Sequence, residues 1–191
     1  GFLKPKHKIL GVDIAGRVEA VGKNVQQFQP GDEVFGSCGR GGFAEHVCCR
    51  EQGLVHKPAN VTFEDAAAVP VAAITALQGL RDAGKIQPGQ KVLIHGASGG
   101  VGMFAVQIAK SYGVEVTAVC STRNVEMARS IGADRVIDYK QEDFAKNNQR
   151  YDLIFAANGN RSIFDYRRAL SPQGFYVMAG GSGAKQMFQT I

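Results

Sequence analysis

From Pro88-Gly89-Gln90 onward, short apolar runs alternate with longer runs whose apolar residues recur at helical spacing. The apolar runs at Lys91–His95, 114–120, 135–139, Tyr151–Ala156 and 174–179 are nearly continuous, the pattern of strands buried on both faces. Between the first two, Val101, Phe104, Ala105, Ile108, Ala109 and Tyr112 fall on one helical stripe. Strand, helix, strand at this pitch predicts a parallel sheet with right-handed crossovers. The next helix, about 125–131, is expected to stop at Gly132, because glycine accepts the left-handed conformation that ends many helices.

The first sixty residues have a different texture. They are rich in glycine and predict short strands at 16–21, 33–35 and 43–48, with Pro30-Gly31-Asp32 as a turn. These are too few strands to cover their own edges, so the all-β segment is expected to be part of a larger one. Helices are expected from Thr62, an N-cap with Glu64 and Asp65 in the first turn, into the Ala-rich run 66–80. Pro70 should divide that run, since its ring removes a hydrogen bond and crowds the preceding turn.

Composition narrows the function classes. In 191 residues, 45% hydrophobic and 20% charged, no apolar run reaches the length of a membrane span, and the start lacks the pattern of a secretion signal. A cytoplasmic protein with no membrane partner is expected. Cys38, Cys48, Cys49 and Cys120 form no CxxC pair, so neither a zinc ribbon nor a disulfide framework is indicated. The net charge of +5 is scattered rather than gathered on one face, which argues against nucleic acid as a partner.

The run Ala97-Ser98-Gly99-Gly100-Val101-Gly102 follows an apolar strand and opens the amphipathic helix. A pyrophosphate needs backbone N–H groups aimed at it with no Cβ in the way, and a glycine-rich turn into a helix N-terminus supplies both. With Ala97 in place of the first glycine, the spacing Ala97-x-Gly99-x-x-Gly102 reads as a Rossmann-type dinucleotide loop. A ligand-free glycine turn is the alternative. At the end of the second strand the chain reads Cys120-Ser121-Thr122-Arg123, without the carboxylate that commonly binds the adenosine ribose of NADH. Hydroxyls and a guanidinium there favour the extra 2′-phosphate of NADPH, unless Arg123 merely opens a solvated helix.

Together these stretches resemble the medium-chain dehydrogenases/reductases, in their zinc-free quinone oxidoreductase branch. The likeness is carried by Gly11-Val12-Asp13-Ile14-Ala15-Gly16 with Val21-Gly22, Pro30-Gly31-Asp32-Glu33-Val34, Gly42-Phe43-Ala44-Glu45, residues 72–77, the glycine loop, and Ile131-Gly132-Ala133-Asp134 with Asp138-Tyr139. The resemblance implies an α/β chain: part of a GroES-like all-β catalytic domain at 1–68, then a Rossmann-type doubly wound parallel sheet at 69–191. It also implies that both ends of the complete protein are missing and that the complete protein is a homodimer or homo-oligomer.

Zinc-dependent relatives carry Gly-His-Glu where this chain has Gly11-Val12-Asp13, and their cysteine ligand falls in Val71-Ala72-Ala73, so no metal is expected. His46, His56 and His95 read as surface or packing residues. By the same resemblance Thr75 lies near the nicotinamide side, Ser121, Arg123 and Tyr139 around the 2′-phosphate, and Asn158 with Gly159 beside the cofactor. Thr75 as a buried helix hydroxyl, Tyr139 as a strand-end aromatic and Asn158-Gly159 as a plain turn are the alternatives. The expected activity is NADPH-dependent, metal-independent reduction of a small-molecule quinone or α,β-unsaturated carbonyl, with no proton donor identified. A catalytically silent NADPH-binding scaffold is the alternative, and a zinc alcohol dehydrogenase is disfavoured by Val12.

Overall fold

The computed structural model describes residues 8–180. The described residues divide into two compact units, one up to residue 72 and one from residue 73.

In the first unit, β1 (Asp13–Arg17), β2 (Glu33–Ser37) and β3 (Leu54–His56) form an antiparallel sheet in that order. Ile14 faces Gly36 and Val34 faces His56 across the two ladders. The first strand therefore starts three residues before the predicted 16–21. Asp13 to Arg17 pair with β2, and the chain leaves the ladder after Val18, whose N–H still reaches the Asp32 carbonyl at 2.9 Å.

The predicted strand at 43–48 is absent. Gly42 and Phe43 spend their N–H groups on the Gly11 and Leu10 carbonyls, and the Phe43 ring stands exposed, so the alternation there has no face to bury. A 3-10 turn at Glu51–Gly53 leads instead into β3, whose three residues are too few for a legible period. The Lys57 ammonium, 5% exposed, ties β2 to the following loop. It contacts Glu33 Oε2 at 3.1 Å, donates to the Val61 carbonyl at 2.6 Å and lies 5.0 Å from the Phe63 ring centre.

Thr62 caps α1 (Phe63–Ala67), its hydroxyl oxygen accepting from the Asp65 N–H at 3.1 Å. Pro70 then begins α2 (Pro70–Leu77), so the Ala-rich run breaks where the proline predicts. The run ends in a π-helical turn at Gln78–Ala83, a feature with no sequence signal here.

The second unit is a five-stranded parallel sheet in the order β6-β5-β4-β7-β8, with β4 (Lys91–His95), β5 (Glu115–Cys120), β6 (Arg135–Asp138), β7 (Tyr151–Ala156) and β8 (Leu170–Met178). The central strands β4, β5 and β7 are buried on both faces, which is why they read as continuous apolar runs. Val92, Ile94, Val116, Ala118 and Phe155 pack on one side with Ala105, Val106 and Ala109 of α3 (Gly100–Ser111). Leu93, Val119, Ile137 and Ile154 pack on the other with Phe144, Tyr166 and Ala169.

The helix α4 (Val125–Ser130) ends as predicted. Gly132 sits at φ +105°, its N–H bonds to Arg129, and the Ala133 N–H closes on the Ala128 carbonyl. The short α5 (Ile163–Ala169) buries only Tyr166 and Ala169, too little for a periodic signal. β8 is longer than the predicted 174–179 because Leu170 already pairs with Tyr151, across a register shift. Among the described residues no helix is long and apolar enough to cross a membrane.

Candidate functional site

The chain runs β4, β5, β6 outward in one direction and then returns to place β7 on the other side of β4. Such a reversal opens a crevice at the carboxyl ends of the strands. A cleft of about 720 Å³ lies there, lined from the ends of β4, β5, β6 and β7.

Its first wall is the glycine loop. Gly96, at φ +82°, turns the chain sharply after β4, and its N–H and that of Ala97 both reach the Val119 carbonyl, at 3.2 and 3.1 Å. A Cβ at Gly96 would press on Asn158 at 2.9 Å. Ser98 and Gly99 line the cleft, and Gly99 caps α3 with no side chain covering the first-turn amides of Gly100, Val101 and Gly102. Gly102 is buried, and a Cβ on it would collide with the Gly96 carbonyl and Ala97. The third glycine thus lets α3 approach β4, while open N–H groups face an anion's place.

This refines the sequence reading. The residue that makes the tight turn is Gly96, one position before Ala97. Ala97 is fully buried in the core beneath the loop and does not line the cleft. The glycines are spaced Gly96-x-x-Gly99-x-x-Gly102, and the signal was present in the His-Gly step that ends β4.

The second wall follows β5. Ser121, Arg123 and Asn124 line the cleft, with Tyr139 from the end of β6. Ser121 Oγ accepts from Asn124 Nδ2 at 3.1 Å. Arg123 is exposed and makes no hydrogen bond or ion pair among the described residues. Asp138, which sequence reasoning did not place here, pairs with Cys120 across the sheet. Its carboxylate accepts from the Thr122 hydroxyl at 2.7 Å and the Lys140 N–H at 3.0 Å, bonds that hold it below the usual carboxylate range. It is engaged rather than turned into the cleft.

The third wall follows β7, where Asn158, Asn160 and Arg161 line the cleft. Gly159 is buried, its N–H on the Gly180 carbonyl at 2.8 Å and its Cβ direction toward Met178, so it supports the turn without lining the cleft. Thr75 is half-buried in α2 and is likewise not among the lining residues.

Beneath these walls sequence reasoning missed a polar and aromatic floor. Glu142, Asp143 and Phe144 line it together with His95. Arg161 donates to both Asp143 oxygens, at 2.8 and 2.7 Å, and its guanidinium lies 5.8 Å from the Phe144 ring centre. Burial pushes the Asp143 carboxyl up, but the Ala145 N–H and Arg161 outweigh it and hold it below the usual range. Nδ1 of His95 lies 2.8 Å from the Tyr166 hydroxyl. Burial, and then the charge of Arg161, push His95 down to about 4, so it is neutral at ordinary pH, and burial raises the Tyr166 phenol. These residues come together only through the strand order, which no short motif encodes.

The described residues bring no zinc donor set together. Among the described residues no group of three His, Cys, Asp or Glu side chains converges as a metal site. The Asp13 carboxylate, beside Val12, accepts from the Val71 N–H at 3.2 and 3.3 Å and so anchors the start of α2.

Two family models match the chain: alcohol dehydrogenase GroES-like domain over residues 2–59, and zinc-binding dehydrogenase over residues 100–190. The chain is 39% identical over 166 residues to the chloroplastic quinone oxidoreductase QR1 of Triphysaria versicolor, covering 80% of this chain and 50% of that one. A crystal structure of an alcohol dehydrogenase superfamily protein from Novosphingobium aromaticivorans aligns at TM-score 0.82 and 36% identity, covering 97% of this chain and 60% of the other. The CurK enoyl reductase aligns at TM-score 0.81 and 35% identity, covering 93% and 56%. The chain spans about half the length of the curated relatives it matches.

Proposed function

Because this chain belongs to the medium-chain dehydrogenase/reductase superfamily, on its quinone oxidoreductase-like side, we propose that the protein it represents is an NADPH-dependent, metal-independent reductase of quinones or α,β-unsaturated carbonyls. The observation that carries the cofactor choice is Arg123, a cation lining the cleft with no partner among the described residues, beside Ser121 and Tyr139. A dianionic 2′-phosphate is the ligand group that such a cation, a hydroxyl and a phenol would share.

In this reading the amides of Gly99 to Gly102 hold the pyrophosphate, with Ala97 shaping the backbone beneath. Ser121, Arg123 and Tyr139 hold the 2′-phosphate, and Asn158 borders the dinucleotide with Gly159 behind it. Thr75 enters on family resemblance, at the nicotinamide end. Bound there, NADPH supplies a hydride to an electron-poor carbon or a quinone. The chain's own task is to orient the dinucleotide and exclude water. With no converging donor set among the described residues, no step passes through zinc, and an acceptor that is already electron-poor needs no Lewis acid. Names of relatives that include a quinone oxidoreductase and an enoyl reductase support that substrate class.

Steady-state loss of NADPH absorbance with the full-length enzyme, over a panel of quinones and enones and with a chelator present, tests the proposal. Turnover that survives the chelator is expected. Tight NADPH binding with no turnover across the panel would leave only a binding scaffold.

A further inference from the structure

The floor of the cleft contains a buried polar pair that the proposed chemistry does not use. His95 ends β4 on the face that carries Leu93, and Tyr166 rises from α5 to meet it. The two rings pack edge-on at 5.7 Å between centres, with Phe144 at 5.5 Å from His95 and Tyr176 at 4.7 Å from Tyr166. The pair sits deep: Tyr166 is 1% exposed and Phe144 3%.

One hydrogen bond joins the two rings: the Tyr166 hydroxyl lies 2.8 Å from Nδ1 of His95, which accepts from it when the neutral imidazole carries its proton on Nε2. It ties the end of β4 to α5, and the segment that enters α5, with Asn158, Asn160 and Arg161, forms a wall of the cleft. The main-chain tie there is weak, since the Asn158 N–H reaches the His95 carbonyl only at 3.4 Å. An apolar pair could fill the same volume, but it would leave α5 without its polar tie to β4.

We propose that His95 and Tyr166 are positioning residues that fix the wall from Asn158 to Arg161 in its dinucleotide-binding geometry. This rests on the dinucleotide reading given above. It assigns neither residue a contact with the reacting atoms.

The test uses the whole chain in four forms: wild type, Tyr166→Phe, His95→Asn and His95→Leu. Asparagine places an oxygen roughly where Nδ1 sits and so keeps the acceptor for Tyr166. NADPH affinity is read from nicotinamide emission on titration, fold integrity from the thermal melt, and local order from amide exchange at Asn160 and Arg161. Tyr166→Phe and His95→Leu are expected to weaken NADPH binding by about fivefold or more, and to quicken exchange at Asn160 and Arg161 while β4 and β7 stay protected. His95→Asn is expected to recover most of the affinity. In wild type, the ring-nitrogen spectrum of His95 should show a bare Nδ1 and a protonated Nε2. Wild-type affinity in Tyr166→Phe, or equal losses in His95→Asn and His95→Leu accompanied only by lower melting temperatures, would overturn the positioning role alone. A wild-type chain that binds neither NADPH nor NADH would overturn the dinucleotide reading and this role with it.

Discussion

Arg123 and His95 both line the cleft, yet their surroundings give them opposite tasks. Arg123 is exposed and unpaired among the described residues, so its charge is available to a ligand. Replacing it with glutamine should weaken NADPH binding by about tenfold or more and leave NADH binding nearly unchanged, as read by parallel titrations. His95 is buried and refuses a proton. An unfolded histidine titrates near 6.5, whereas folded His95 titrates at about 4. Between those values the unfolded chain takes up a proton that the folded chain does not, so stability is full above about pH 6.5 and is lost as pH falls toward 4. The loss should approach about 3 kcal/mol. Asp134, Asp138 and Asp143, all held below 3.8, contribute their losses only at lower pH. Urea unfolding from pH 7.5 to 4.5 should show a steeper decline in wild type than in His95→Asn, and parallel declines would contradict the assignment. Ser121 and Arg123 were legible because they follow a strand end directly. Asp138, Phe144 and Arg161 were not, because only strand order brings β6, β7 and their loops to that place. Gly96 was hidden differently: its turn lies one residue earlier than the Ala97 spacing suggested.

At the scale of elements, the parallel strands and α3 were legible because each buries whole faces or a full stripe. The first unit was harder, since its strands are three to five residues long and their pairing depends on partners distant in sequence. The stretch 43–48 shows the consequence: a strand-like composition whose N–H groups are spent elsewhere. Lys57 shows the converse, a charged residue doing a packing residue's work. Lys57→Met should destabilise the first unit by about 1–3 kcal/mol, because the Val61 and Pro58 carbonyls lose their donor. Chemical denaturation followed by a probe in that unit would measure it, and an unchanged midpoint would refute the tie. In the second unit, Gly102→Ala forces α3 away from β4. It should cost about 1–3 kcal/mol and abolish dinucleotide binding, whereas an alanine variant that binds normally would show that close helix approach is not needed.

For the whole molecule, two family models match, one over each unit: a GroES-like description over the antiparallel segment and a dehydrogenase description over the parallel sheet with a crevice at its reversal point. Every residue lining that crevice lies between His95 and Arg161, within the second unit. The curated relatives it matches are about twice the length of this chain. The proposed preference for NADPH is read by equilibrium titration of the wild-type chain with NADPH and with NADH under one set of conditions. NADPH binding at least about tenfold tighter than NADH is predicted; equal affinities, or tighter binding of NADH, would contradict it.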